Sequence, residues 1–379
     1  MNVYFDNAAT TPLDPAVFEA MKPFLLEHFG NPSSIHSHGR KVRTAVEQSR
    51  KKVADFLNVT PGEIFFTSGG TEADNTAIRC SVRDKGVTHL ISSRIEHHAV
   101  THTMEAKEKE GIKVSYVNLN GDGEVDYDHL EELLKNNANS MVSLMHANNE
   151  IGNLLDLERV GDLCEQYDAI FHSDTVQSMA HYVHDLRKLK LDFAVGSAHK
   201  FHGPKGIGFL YINHEMKINP FIHGGAQERN MRGGTENVCG IVGLAAAMEI
   251  AYGEMESHRK HIEGLKRHTI GKLQASIEGV GFNGVSDNLD KSLYTVLNIC
   301  LPPSEDNDML LFNLDISGIS VSGGSACTSG SNIGSHVLAE LDRDQARGAI
   351  RFSFSKYNTI EEIDYAVEKL AELYQAVEV

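Results

Sequence analysis

The sequence lacks several features that mark other classes of protein. The 379-residue chain has no run approaching the roughly 18 apolar residues of a membrane-spanning helix. Its start, MNVYFDNAATTPLDP, has no basic segment followed by an apolar one, so a secretory signal is not indicated. Basic residues are not in excess: the formal net charge of −17 argues against nucleic-acid or anionic-membrane partners. We therefore expect a soluble, cytoplasmic protein.

Cysteine and metal motifs are also missing. The five cysteines are odd in number and scattered, and no CxxC pair occurs, which argues against a disulfide framework or a structural zinc site. The twenty histidines include no HExxH motif, so we expect no metal. Cys80, Cys164 and Cys300 have apolar neighbours and are predicted to lie in the core, whereas Cys239 is unassigned.

The part of the chain between residues 60 and 212 alternates short apolar runs with helical patterns. Such alternation predicts an α/β fold with a parallel or mixed sheet covered on both faces. Ligands of these sheets bind beyond the carboxyl ends of the strands. The residues directly after each predicted strand are therefore the candidates for a functional site.

The pattern changes after residue 240, where a long helical stretch is followed by strands near YTVLNICL and GISVSGG. The last helix is predicted to begin near Thr359, because Thr359 and Glu362 form a capping-box pattern. We predict a change of domain near residue 260. The large domain would comprise residues 16–259, and the small domain residues 1–15 and 260–379.

Three predicted strands are followed by residues that could bind a cofactor or take part in catalysis. Gly70 and Thr71 follow the first, where glycine and a helix start suit a phosphate, although an ordinary turn has the same pattern. Asp174 follows another, either as partner of a protonated ring nitrogen or as a helix N-cap. Lys200 ends the run DFAVGSAHK, where a surface lysine is the simpler interpretation. Together the three meet the requirements of pyridoxal phosphate: a Schiff-base lysine, an acidic partner and a phosphate site.

Further candidates join this set. His97 or His98 follows a strand and could stack on a ring and move protons. Asn148 and Asn149 follow another, where amides suit a ring hydroxyl or a carboxylate but are also common in turns. Ser197 and His199 flank the lysine and could reach the same phosphate.

Cys327 lies in SVSGGSACTSGSNIG, among small residues rather than apolar ones. A thiolate in such a loop would be a strong nucleophile, although an incidental exposed cysteine has the same pattern. Arg351 lies on the likely strand AIRFSFS and could bind a carboxylate with its guanidinium, or form a surface ion pair.

Across nearly its whole length the sequence resembles the NifS/IscS-type cysteine desulfurases, pyridoxal-phosphate enzymes of the class V aminotransferase fold. The motifs that carry the resemblance are YFDNAATTP, FGNPSSIHSHGR, TSGGTEADN, EHHAV, NNEIG, HSDTVQ, SAHKFHGPKG, MRGGTEN, SGGSACTSGS and IRFS. It implies a fold type I large domain with a mostly parallel seven-stranded sheet and a smaller α+β domain carrying Cys327.

The resemblance also implies roles at matching positions. Lys200 would hold the cofactor, Asp174 would pair with its ring nitrogen, Gln177 would bond its hydroxyl, and His97 would stack on the ring and transfer protons. Cys327 would take sulfur from L-cysteine as a persulfide and release alanine. Gly70, Thr71, Ser197 and His199 would bind phosphate, with Thr235 of a second subunit, while Asn149 and Arg351 would hold the substrate carboxylate.

The implied partners are a second copy of the chain and a sulfur-acceptor protein that serves iron–sulfur assembly or tRNA thiolation. Two alternatives remain open from the sequence. One is a selenocysteine lyase or another class V lyase or aminotransferase. The other is a non-catalytic sulfur carrier or scaffold that retains the fold.

Overall fold

The computed structural model describes residues 1–323, 334–344 and 346–375. Its strands form one large sheet and two small ones. The strands are β1 (Val3–Tyr4), β2 (Ile64–Thr67), β3 (His89–Ser92), β4 (Lys113–Tyr116), β5 (Ser140–Ser143), β6 (Ile170–Ser173), β7 (Phe193–Ser197), β8 (Gly208–Ile212), β9 (Gly281–Phe282), β10 (Val296–Pro303), β11 (Ile319–Ser320) and β12 (Arg347–Ser353).

The helices begin and end where local sequence signals change. Asp14 caps the first helix by accepting a hydrogen bond from the backbone N–H of Ala16, and Thr359 and Glu362 form the predicted capping box of the last. The helices are α1 (Pro15–Leu26), α2 (Ser37–Phe56), α3 (Gly70–Lys85), α4 (His98–Lys109), α5 (Tyr127–Lys135), α6 (Leu157–Gln166), α7 (Val238–Gly253), α8 (Met255–Ser276), α9 (Leu310–Ile316), α10 (His336–Ala339) and α11 (Ile360–Gln375).

The large sheet has seven strands in the order β2-β8-β7-β6-β5-β3-β4. Strand β8 is antiparallel to both of its neighbours, and the other pairs are parallel. The carboxyl ends of β2, β3, β5, β6 and β7 therefore meet at one edge of the sheet. The predicted α/β class with a mostly parallel sheet is confirmed.

Both faces of the large sheet are buried, as expected of parallel strands. Successive residues along a strand alternate between two hydrophobic clusters. In β3, Leu90 belongs to the cluster that includes α3 and α4, and Ile91 to the cluster that includes α2, α6 and α7. Strand β5 repeats this alternation with Met141 and Val142. Both faces of the sheet are thus covered, and the ends of its strands remain for a site.

The small sheets lie with the C-terminal elements. Strands β12, β10 and β9 pair antiparallel in that order, and β1 pairs parallel with β11. A separate hydrophobic cluster joins Val3 and Phe5 of the N-terminus to side chains from Ile262 to Ala371. This clustering agrees with the proposed small domain, and its bounds stay a prediction.

The prediction of one continuous long helix after residue 240 is wrong, because the structure has two helices there, α7 and α8. The chain bends by 73° between α7 and α8, at Glu254, whose backbone leaves the helical region directly after Gly253. Glycine is a weak helix former and favours such a break. Within the described residues, neither helix alone is long and apolar enough to cross a membrane, and only the bent pair reaches that length and composition.

Candidate active site

A cavity of about 270 Å³ opens at the carboxyl edge of the large sheet. It brings together side chains from five strand ends and from β12, as expected for ligand sites in such sheets. Among the residues that line it are ten of the predicted site residues: Gly70, Thr71, His97, Asn149, Asp174, Gln177, Ser197, His199, Lys200 and Arg351.

Lys200 reaches the cavity from a single turn of 3₁₀ helix that follows β7 directly. Its Nζ donates hydrogen bonds to the backbone oxygens of Ala8 at 2.6 Å and Ala9 at 3.0 Å. The N-terminal segment therefore holds the amine at the cavity wall. This placement explains why a buried strand ends on a lysine: the ammonium is compensated by carbonyl groups.

Asp174 follows β6 and is buried. Its Oδ1 accepts a hydrogen bond from the backbone N–H of Val176 at 2.9 Å, which is the turn chemistry considered from sequence. The other carboxylate oxygen leaves capacity for a second donor. Gln177 lies beside it and donates from Nε2 to the oxygen of Ala8 at 2.9 Å.

The start of α3 suits an anion. Within the described chain no side chain caps this helix, so its first N–H groups are available at the cavity. A Cβ at Gly70 would lie 2.9 Å from Cγ2 of Val176, so only glycine fits without movement. Thr71, Ser197 and His199 line the same cavity, and burial with nearby lysines lowers the pKa of His199 to about 4. A neutral imidazole and two hydroxyls remain as donors.

His97 is the N-cap residue of α4, and its Nδ1 accepts a hydrogen bond from the backbone N–H of Ala99 at 3.2 Å. Burial lowers the pKa of His97, while Asp174 opposes that shift and Lys200 adds to it. The ring is therefore neutral near pH 7, and the bond to Nδ1 places its proton on Nε2.

Arg351 enters from β12 and is 1% exposed. Its Nη1 donates to the backbone oxygen of Asn149 at 2.8 Å, and its Nη2 donates to Oδ1 of Asp6 at 2.6 Å. The sequence missed Asp6, although it lies within the motif YFDNAATTP. The arginine is thus fixed at the cavity between the N-terminal segment and the loop after β5.

Two buried acids near the cavity were not singled out from sequence. Burial raises the pKa of Glu96 to about 8, with Asp174 adding to the shift. Its oxygens accept from Ser93 Oγ at 2.7 Å and from the backbone N–H of Met145 at 2.9 Å. Burial also raises the pKa of Asp74 well above its ordinary range, with Asp174 and Glu96 contributing. Glu96 is therefore protonated near neutral pH, and burial favours the neutral form of Asp74 as well. The position of Glu96 directly before His97 was the available signal in the sequence.

The predicted nucleophile, Cys327, lies outside the described residues. His336 lines the cavity. His336 Nε2 is 2.9 Å from the backbone oxygen of Glu96, and Ser335 Oγ donates to Oε2 of Glu150 at 2.5 Å. These two contacts hold the start of α10 beside the loops that follow β3 and β5.

Thr235 does not line the cavity of its own chain; it is exposed on the surface. The preceding segment is anchored by Glu228, whose carboxylate accepts from both terminal nitrogens of Arg50 at 2.7 and 2.8 Å. Glu228 also accepts from the backbone N–H of Phe66 in β2. The segment that carries Thr235 is thus anchored to the core at Glu228, whereas Thr235 itself is exposed.

Comparisons with known proteins identify the family of this chain and its similar relatives. The family described as Aminotransferase class-V matches residues 3–366. The chain is 42% identical to the cysteine desulfurase IscS of Dictyoglomus turgidum over 98% of its own length and 94% of that protein. Among solved structures, a NifS-like protein has a TM-score of 0.91 at 39% identity, with both chains covered completely. A structure described as SspA in complex with cysteine has a TM-score of 0.81 at 32% identity, covering 94% of this chain and all of that one.

The chain belongs to the class V aminotransferases. Within that family it groups with the NifS- and IscS-type cysteine desulfurases, so the resemblance stated from the motifs is confirmed. The family is one of pyridoxal-phosphate enzymes. The individual roles of the site residues stay predictions. No group of three or more histidine, cysteine or acidic side chains in the described ranges is arranged to hold a metal ion.

Proposed function

We propose that this protein is a cytoplasmic, pyridoxal-phosphate-dependent cysteine desulfurase that converts L-cysteine to L-alanine and keeps the sulfur on Cys327 as a persulfide. The observation that carries the proposal is one cavity containing an amine, an acidic side chain and an uncapped helix start: Lys200, Asp174 and Gly70. The 42% identity to a cysteine desulfurase supports the same chemistry.

The residues present fit the cofactor. The cavity wall offers the amine of Lys200 for the aldehyde and the carboxylate of Asp174 for the ring nitrogen. The start of α3, with Thr71, Ser197 and His199, offers neutral donors for the phosphate. When bound, pyridoxal phosphate supplies an electron sink for charge that develops at the substrate α-carbon.

Buried Asp74 and Glu96 support the role of Asp174. Burial raises the pKa of both neighbours, to about 8 for Glu96, and so favours their neutral forms, which add no further negative charge beside it. A protonated ring nitrogen would therefore meet one carboxylate at the end of β6 rather than a cluster of competing anions.

Arg351 and Asn149 would bind the substrate carboxylate. The guanidinium is buried and held at two points, so little conformational entropy is lost when a ligand binds. The neutral ring of His97 would donate a hydrogen bond from Nε2. To transfer a proton it would first take one up, and its lowered pKa would make the resulting imidazolium a ready proton donor.

The sulfur-transfer step would be performed by the Cys327 thiolate. It attacks the sulfur of the substrate, a sulfur–sulfur bond forms, and the bond between that sulfur and the substrate β-carbon breaks. The electron pair of the broken bond is retained on the alanine side, where a proton replaces the sulfur. The persulfide would then pass to an acceptor protein for iron–sulfur assembly or tRNA thiolation.

The experiment that tests the proposal is to supply L-cysteine without reductant and to locate the added sulfur by mass spectrometry. We expect a mass gain of one sulfur atom on the peptide containing Cys327 and on no other cysteine peptide. Cys327→Ser should abolish both the persulfide and sulfide release, while Cys239→Ser serves as the matched control with activity unchanged.

Three results would contradict this function. Full sulfide release by Cys327→Ser would exclude the persulfide route and favour another class V lyase. Protein that stays colourless after addition of pyridoxal phosphate would favour a non-catalytic carrier. A large preference for selenocysteine over cysteine, measured on the same preparation, would identify a selenocysteine lyase instead.

A further inference from the structure

The N-terminal segment, residues 1–15, contacts four of the groups proposed to act in the site: Gln177, His199, Lys200 and Arg351. Ala8 and Ala9 accept hydrogen bonds from Lys200, and Ala8 also accepts from Gln177. The Thr10 hydroxyl is 3.2 Å from Nδ1 of His199. The proposed function assigns no role to this segment, which carries two acidic side chains. Asp14 is paired with Lys356, whereas Asp6 is paired with Arg351 at the cavity.

Asp6 is placed against the group that would bind the substrate carboxylate. Its Oδ1 accepts from Nη2 of Arg351 at 2.6 Å, so a carboxylate of the chain already occupies part of that guanidinium. The backbone of Asp6 is fixed by a bridge to Ser353 in β12, two residues beyond the arginine. The Asp6 side chain is 20% exposed while that of Arg351 is 1% exposed.

The donor count shows what remains for a ligand. A guanidinium has five N–H groups. Asp6 and the oxygen of Asn149 use two of them, and the Nε of Arg351 is buried without a hydrogen-bond partner among the described residues. Two adjacent N–H groups suffice for one carboxylate in a bidentate arrangement. Asp6 therefore orients the guanidinium and balances its charge while leaving enough N–H groups for one carboxylate.

We propose that Asp6 is a positioning and affinity-setting residue for the substrate carboxylate: it fixes the guanidinium of Arg351 for a single α-carboxylate and weakens the hold on that anion. Because the Asp6 charge already neutralises the arginine, an incoming carboxylate gains less electrostatic energy than it would from an unpaired cation. The product alanine, which retains the carboxylate, is thereby released more readily. This inference rests on the proposed role of Arg351.

The test uses the holoenzyme and three variants, with L-alanine and ethylamine as probes measured by calorimetry. Asp6→Asn keeps an oxygen for Nη2 but removes the charge, so we expect L-alanine to bind at least about threefold more tightly. Asp6→Ala removes the orientation as well and should weaken alanine binding. Asp6→Glu keeps the charge and should stay within about twofold of the unmodified enzyme.

Ethylamine is the control for carboxylate recognition, because it carries the amine without the carboxylate. Its affinity should be the same in all variants. Thermal melting provides a second measurement: Asp6→Asn should be less stable without ligand and should gain more from added L-alanine than the unmodified enzyme does, since the ligand supplies the missing counter-charge.

The proposal would be overturned if Asp6→Asn weakened alanine binding as much as Asp6→Ala, or if it altered ethylamine binding equally. A separate variant, Arg351→Ala, tests the proposed function on which the inference rests. If Arg351→Ala leaves alanine affinity unchanged, the assigned carboxylate site is wrong; if it removes alanine binding, the Asp6 results are decisive.

Discussion

At the residue scale, the site is defined by how burial changes the protonation of individual side chains. Burial disfavours charged forms, so it lowers the pKa of His97 and of His199 and keeps both rings neutral. For the same reason burial raises the pKa of Glu96 and keeps that acid protonated. The cavity thus combines a neutral histidine with a carboxylate and an amine. Such opposed environments are typical of sites that exchange protons near neutral pH.

Glu96 gives a measurable pH dependence of stability. Folding raises its pKa from 4.5 to about 8. Between pH 4.5 and pH 8 the folded state therefore keeps a proton that the unfolded chain has released. The stabilising contribution is fully present below the unfolded pKa and is lost as pH rises through 8. Glu96→Gln mimics the protonated acid, because an amide can donate to Ser93 and accept from Met145.

We expect Glu96→Gln to gain stability relative to the unmodified protein as pH rises from 5 to 9, by a few kcal/mol in total. Urea unfolding at several pH values measures this difference, and the titrations of other groups cancel in the comparison. Two stability curves that remain parallel over this pH range would show that Glu96 is already ionised in the folded protein.

At the element scale, the start of α3 decides whether an anion is accepted. The helix follows β2 through Gly69, and Gly70 packs so closely on Val176 that a methyl group would displace one of them. Helix α8 contains another glycine, Gly264, around which an added Cβ would meet no atom within 4 Å. The same substitution in two helices therefore separates a packing effect at the site from an effect on helix propensity.

Gly70→Ala should weaken pyridoxal-phosphate binding by about tenfold, since the shifted helix start no longer presents its N–H groups correctly. Gly264→Ala should leave cofactor affinity unchanged and stabilise the fold by about 0.5–1 kcal/mol. Titration of the apoenzyme with the cofactor and chemical unfolding measure the two effects. Equal cofactor affinity in both variants would contradict the proposed phosphate position.

At the scale of the whole molecule, we propose a homodimer in which Thr235 serves the cavity of the other subunit. Thr235 is exposed on a segment whose base is anchored by the buried pair of Glu228 and Arg50. Large apolar side chains are exposed elsewhere on the surface, with Leu26 71%, Phe29 78% and Ile35 87% exposed. Exposed apolar side chains of this size are consistent with a protein–protein interface.

Mixing two impaired variants tests this arrangement. Lys200→Ala lacks the cofactor amine, and Thr235→Val lacks the hydroxyl proposed for the neighbouring phosphate, so each should be impaired when assayed alone at limiting cofactor. In a mixed dimer one site carries both defects and the other carries neither. We therefore expect activity to rise above the sum of the separate variants after subunit exchange.

No such recovery would occur if Thr235 acted in its own subunit, because every site would then carry one defect. Sedimentation of the unmodified enzyme provides the control, since it should show a dimer at assay concentration. An active monomer would remove the proposed role of Thr235 while leaving the assignments within one chain untouched.

The sequence by itself determined the fold class, the family and most of the chemical groups. Alternation of apolar strands and helices requires a layered α/β sheet, and strand-end residues such as Asp174 and Lys200 must then gather at one edge. The capping pattern at Thr359 also located the last helix correctly, because its hydrogen bonds are local in the chain.

Only the tertiary structure decided the contacts between distant segments and their electrostatic consequences. Asp6 and Arg351 are 345 residues apart, and Ala8 and Lys200 are 192 residues apart, and no local pattern encodes such pairs. The bend between α7 and α8 was missed because helix-forming residues stand on both sides of Gly253 and Glu254 in the sequence. The raised pKa of Glu96 likewise depends on burial by the surrounding elements. Its position after a strand does not determine how deeply it is buried.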